Sequence, residues 1–107
     1  MKTKPNILVI ISDQLRFDTL SCYGNNWIKT PNLNSLAKDS FVFENAYVTQ
    51  PVCAPSRASI LTGLYPHTHG AVGNGIRLNS GTKTITELIP DDYQKICHGK
   101  WHHTEPQ

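Results

Sequence analysis

Residues 6–14 read NILVIISDQ: five consecutive apolar side chains, Ile7 to Ile11, then a turn to polar residues with no spacer. A strand with one wet face alternates apolar and polar, and this one does not. A continuous branched run suits a strand covered on both faces, as in a parallel sheet flanked by helices. Ligands in such open sheets gather at the carboxyl ends of the strands. Asp13 and Gln14 therefore stand where chemistry is usually placed.

Further along, helix and strand patterns alternate. TPNLNSLAKDS, residues 30–40, predicts a helix capped by Thr30, with Pro31 in its first turn and Leu33, Leu36 and Ala37 on one face. FVFENAYV, 41–48, reads as a strand with Phe41, Phe43 and Tyr47 on one side. PSRASILTG, 55–63, reads as a helix started by Pro55 and stopped by Gly63. TITELIP, 84–90, carries a capping box, Thr84 with Glu87, and ends at Pro90. YQKIC, 93–97, suggests one more strand. The alternation predicts an α/β layered fold.

The bulk figures narrow the function. At 107 residues the chain is at most one domain. A net charge of +2 is too small for a protein whose main work is gripping nucleic acid. The apolar run at the start is shorter than a secretory core, and no run approaches a bilayer span. No membrane partner is expected, and the cytoplasm is the default compartment unless a leader has been lost. Three scattered cysteines, Cys22, Cys53 and Cys97, do not form a disulfide framework.

Cys53 is unusual. In PVCAPSRASILTG, 51–63, it lies between two prolines and just before a predicted helix, with Arg57 one turn on. A helix start favours negative charge, and a guanidinium fork suits a tetrahedral oxyanion. The site could seat an activated nucleophile beside an anion.

The residues CAPSRASILTG resemble the signature of the sulfatase family, C-x-P-S-R followed by an apolar stretch and T-G. KPNILVIISDQ, DTLSCYG, GLYPHTHG and GKWH resemble other family segments, so the resemblance covers nearly the whole chain. It implies the N-terminal portion, residues 1–107, of an alkaline-phosphatase-like α/β sandwich with a mostly parallel central sheet flanked by helices. It also implies conversion of Cys53 to formylglycine by a formylglycine-generating enzyme. Hydrated formylglycine offers two hydroxyls: one attacks sulfur and expels the alcohol, and the other loses its proton as sulfate departs and the aldehyde reforms. In this scheme Arg57 and Lys100 bind sulfate, His102 assists proton movement, and Asp13, Gln14 and position 53 hold a divalent cation. Oxygen donors favour calcium, with magnesium or manganese as substitutes. The substrate would be a small-molecule or saccharide sulfate ester.

Gln14 replaces an aspartate common in sulfatases, and the glutamine occurs in relatives that cleave phosphonate or phosphate esters. A hydrolase of that kind is one alternative; a non-catalytic remnant is another. Cys97 and His98 stand where apolar residues usually precede G-K-W-H, and the leucine and glycine customary after that histidine are missing. Complete sulfatases are several times longer, so the 107-residue piece alone is expected to be inactive. Among the other histidines, His69 is placed at the substrate pocket. His67 and His69, or the group His98, His102 and His103, raise zinc as an option, but none has convincing finger spacing. Trp101 reads as packing beneath Lys100 and His102, and Asn74 and Arg77 as solvated loop residues.

Overall fold

In the computed structural model, described for residues 4–102, the chain divides into two compact units, 1–45 and 46–107. Its regular elements are helical: two short 3-10 turns, Phe17–Thr19 and Ser21–Tyr23, then α1 (Pro31–Lys38), α2 (Cys53–Thr62), α3 (Pro66–His69) and α4 (Ile85–Leu88).

In the first unit α1 begins as its sequence predicts, with Pro31 at the first position, where a missing N–H costs nothing. Thr30 precedes it, but its hydroxyl does not cap the helix. That oxygen instead accepts the Ser21 backbone N–H at 3.1 Å and lies 3.2 Å from Asn34 Oδ1. The loop before α1 is knitted by Asn25, whose Oδ1 accepts the N–H groups of Trp27 and Ile28, both at 2.9 Å. Its Nδ2 donates to the Asp18 carbonyl at 2.9 Å.

The second unit is built on α2, which packs against α3 and α4. Among the described residues its fully enclosed groups are Ala54 and Ala58 of α2, Ala71 after α3, Pro55, and one large polar side chain, His69. Ala54 and Ala58 lie four apart and so share one helix face, which lets neighbouring backbone approach closely. Gly63 ends α2 at φ 70°, the left-handed conformation that glycine adopts without penalty. The capping box of α4 forms as its sequence predicts: Thr84 N–H donates to Glu87 Oε2 at 2.8 Å. That bond, followed by one from the Thr84 hydroxyl, holds the Glu87 carboxyl below its ordinary range.

The expected sheet is not formed by these residues alone. Among the described residues there is no β-strand, so 6–12, 41–48 and 93–97 form no ladder. Strand hydrogen bonds come only from a neighbouring strand, and none of these segments has one here. Their side chains stay correspondingly open, with Leu8 84%, Ile10 82%, Phe41 83% and Ile96 80% exposed. Period-two spacing survives locally in 41–43, where the Phe41 and Phe43 rings meet edge to face at 5.0 Å. No helix is long and apolar enough to cross a membrane among the described residues.

Candidate active site

Helix α2 starts two residues earlier than Pro55 suggests. Val52 is the extended residue before it (φ −129°, ψ 139°), and Cys53 is its first residue. Pro55 is then third, still within the turn whose N–H groups lack intrahelical partners. Ser56 N–H closes the first turn on the Val52 carbonyl at 2.9 Å. A valine has no side-chain oxygen, so the helix has no local cap.

The cap comes from twenty residues away. Asn74 Oδ1 accepts the Ala54 backbone N–H at 3.1 Å and the Cys53 thiol at 3.4 Å. One amide oxygen thus meets an orphan donor of α2 and fixes the side chain beside it. This corrects the reading of Asn74 as a solvated loop residue. The side chain is exposed, yet its oxygen is committed to α2. The signal available in the sequence was the pairing of a capless helix start with an amide in a glycine-flanked loop.

Cys53 and Arg57 are four residues apart on α2 and lie on one face. The Arg57 guanidinium donates to the Lys100 carbonyl at 2.7 Å. That contact brings the Gly-Lys-Trp-His stretch, 99–102, to the cysteine-bearing helix. Lys100 is exposed, while Arg57 and His102 are half-buried. His102 holds a left-handed backbone at φ 67°, rare for a residue with a Cβ, and its Nδ1 is enclosed without a hydrogen-bond partner.

His69 has a different setting. It is the largest fully buried side chain and both ring nitrogens are used. Nδ1 accepts the Ala71 backbone N–H at 3.1 Å, so it carries no proton. The neutral ring then bears hydrogen on Nε2 and donates it to Ser59 Oγ at 3.1 Å. The Ser59 hydroxyl also shares a hydrogen bond with Thr49 Oγ1 at 2.9 Å. Burial holds the ring below its ordinary range, outweighing an opposing backbone hydrogen bond. In this structure His69 ties α2 to the loop after α3, and it offers no nitrogen to a ligand.

Two further contacts support that loop. Asn79 N–H donates to the His69 carbonyl at 2.8 Å, and its side-chain amide donates to the Thr68 carbonyl at 3.0 Å. Gly70, at φ 85°, leaves room for this amide, because a Cβ there would sit on Asn79 Oδ1.

Asp13 and Gln14 belong to the first unit, at the turn that ends the apolar segment, and both are exposed. Gln14 takes a left-handed backbone, φ 54°. Their donors are a carboxylate and an amide oxygen, which suit a hard cation, but two residues are fewer than such an ion takes. No cluster of three His, Cys, Asp or Glu residues able to hold a metal occurs among the described residues. His67 stacks on Tyr65 at 5.8 Å. His103 lies outside the described residues.

Comparison with known proteins gives the family. The sulfatase family model matches residues 5–105. An arylsulfatase of Clostridium perfringens is 45% identical over 101 residues, covering 92% of this chain and 21% of the relative. An N-acetylglucosamine-6-O-sulfatase of Bacteroides thetaiotaomicron is 38% identical over 106 residues, covering 97% of this chain and 19% of the relative. An ulvan-active sulfatase of Formosa agariphila is 44% identical over 101 residues, covering 94% and 20%. No solved structure matches significantly. The chain spans about a fifth of the length of these curated relatives. The match across nearly all of its residues, through the cysteine-bearing helix and the Gly-Lys-Trp-His stretch alike, makes the chain a member of the sulfatase family.

Proposed function

We propose that this chain is the N-terminal portion of a hydrolase that cleaves a sulfate ester to an alcohol and inorganic sulfate, with residue 53 as nucleophile. The observation that carries the reading is the joining of α2 to residues 99–102 through Arg57 and the Lys100 carbonyl. It gathers a nucleophile position, a guanidinium and an ammonium-bearing segment within one unit. Negative charge grows on the bridging oxygen as the S–O bond breaks, and fixed cations stabilise it. Arg57 presents a planar fork to the sulfate oxygens. Lys100 adds a point charge. His102, with an uncommitted Nδ1, holds or moves a proton at residue 53.

Conversion of Cys53 to formylglycine by its generating enzyme supplies a gem-diol, whose second hydroxyl permits release of the sulfate. A divalent cation, calcium by preference, would supply further charge stabilisation when bound, and the oxygens of Asp13 and Gln14 suit such a hard ion. In the whole protein, segments 6–12, 41–48 and 93–97 join a parallel-rich sheet of the alkaline-phosphatase-like kind, which buries the apolar faces now exposed. The 107-residue chain alone is inactive on this reading. The names of two relatives refer to N-acetylglucosamine-6-O-sulfate and to ulvan, which favours a saccharide sulfate as substrate.

Gln14 favours one second reading, a phosphonate or phosphate ester hydrolase, because an amide in place of a carboxylate lowers the charge at the cation. Paired assays separate the two. With the full-length protein, kcat/KM for p-nitrophenyl sulfate is expected to exceed that for the matched phosphonate ester by at least roughly tenfold, about 1.4 kcal/mol. The opposite ranking would replace the sulfatase reading with the second.

A further inference from the structure

The largest enclosed side chain in the second unit is not apolar; it is His69. A neutral imidazole in such a place needs both nitrogens satisfied. Its two partners lie on separate pieces of chain. Ser59 is in the middle of α2, six residues after Cys53. Ala71 opens the loop that runs to Asn74. Asn74 then returns to α2 and meets Ala54 N–H and the Cys53 thiol. The ring of contacts is therefore closed: α2, His69, the 71–74 loop, Asn74 and α2 again. Gln50 braces the same loop, its amide donating to the Val72 carbonyl at 2.8 Å.

The geometry points to His69 as a positioning residue for residue 53: it clamps the 71–74 loop to α2 so that Asn74 holds the first turn and the side chain it carries. His69 does not touch residue 53; it acts through Asn74. The relevance to catalysis rests on the reading of residue 53 as nucleophile, but the clamp itself does not. Residue 53 sits at the free end of a helix, where a capless turn frays most easily. Fraying there would move the reacting atom relative to Arg57, one turn along.

The test reads the thiol directly and needs no sulfatase turnover, so failure of the functional reading and failure of the clamp are separate results. Full-length protein is made without the modifying enzyme, and intact Cys53 is checked by mass. Iodoacetamide labelling at one fixed neutral pH is followed peptide by peptide, with exposed Cys22 as internal reference. Asn74→Ala is expected to raise the Cys53 rate about fivefold, the worth of one lost hydrogen bond. His69→Ala is expected to raise it similarly, and the double variant no further than Asn74→Ala alone. His69→Asn, whose Oδ1 can accept the Ala71 N–H, should return the rate toward wild type. If His69→Ala does not fold, His69→Gln serves instead, since it retains a donor for Ser59 but lacks the Ala71 acceptor; it too should raise the rate. A Cys53 rate at the wild-type value in His69→Ala or His69→Gln, with only the melting temperature lowered, overturns the proposal. So does a double variant whose effect is the product of the two single effects.

Discussion

Cys53→Ala in the full-length protein is expected to lower sulfate ester turnover by roughly ten-thousand- to million-fold, the scale seen when a nucleophile is removed from a concerted site. The change is small in volume, and α2 keeps its start: Val52 still accepts the Ser56 N–H, and Asn74 still has the Ala54 N–H. A large loss of kcat with an unchanged melting temperature therefore assigns the effect to chemistry. Cys53→Ser sharpens the test. A serine hydroxyl can attack sulfur, but its sulfated form has no second hydroxyl with which to let the group go. The expected record in stopped-flow absorbance is release of at most about one equivalent of phenol per enzyme, followed by arrest, as in covalent catalysis blocked at its second half. Sustained turnover by either variant would remove residue 53 from the reaction.

The second large effect belongs to Arg57. Arg57→Lys retains the charge and loses the fork, and these residues are not interchangeable at a bidentate site. Lysine has a single nitrogen to divide between the Lys100 carbonyl, now bonded at 2.7 Å, and an anion. The expected fall in kcat/KM is about a hundred- to a thousandfold, the cost of removing one positioned donor from a developing oxyanion. Steady-state kinetics with an aryl sulfate measure it, and circular dichroism checks the fold. If Arg57→Lys keeps wild-type kcat/KM, the guanidinium serves only to hold residues 99–102.

What the sequence disclosed divides along physical lines. Local hydrogen bonding was legible. Pro31 opened α1, Gly63 closed α2 and the Thr84–Glu87 box started α4, because each device is completed within four residues. The clustering of Arg57 with the Gly-Lys-Trp-His stretch was legible only through the family resemblance, since 43 residues separate the bonded pair. Asn74 escaped because an amide in a glycine-flanked loop looks the same whether it meets water or a helix end. His69 was placed at the substrate by its neighbourhood in PHTHG, while its ring is spent on Ser59 and Ala71. The apolar run 7–11 announces burial, but a ladder requires a partner strand, and pairing is a property of two segments rather than one. Among the described residues that partner is not formed.

On the proposed reading, residue 53 acts as an aldehyde hydrate made from cysteine. Mass spectrometry of the peptide that carries position 53, from full-length protein isolated from its native host, tests this most directly. The peptide is expected to be lighter than the encoded one by the difference between a thiol-bearing carbon and an aldehyde, and reactive toward a hydrazide. An intact thiol in protein that hydrolyses sulfate esters at full rate would contradict it.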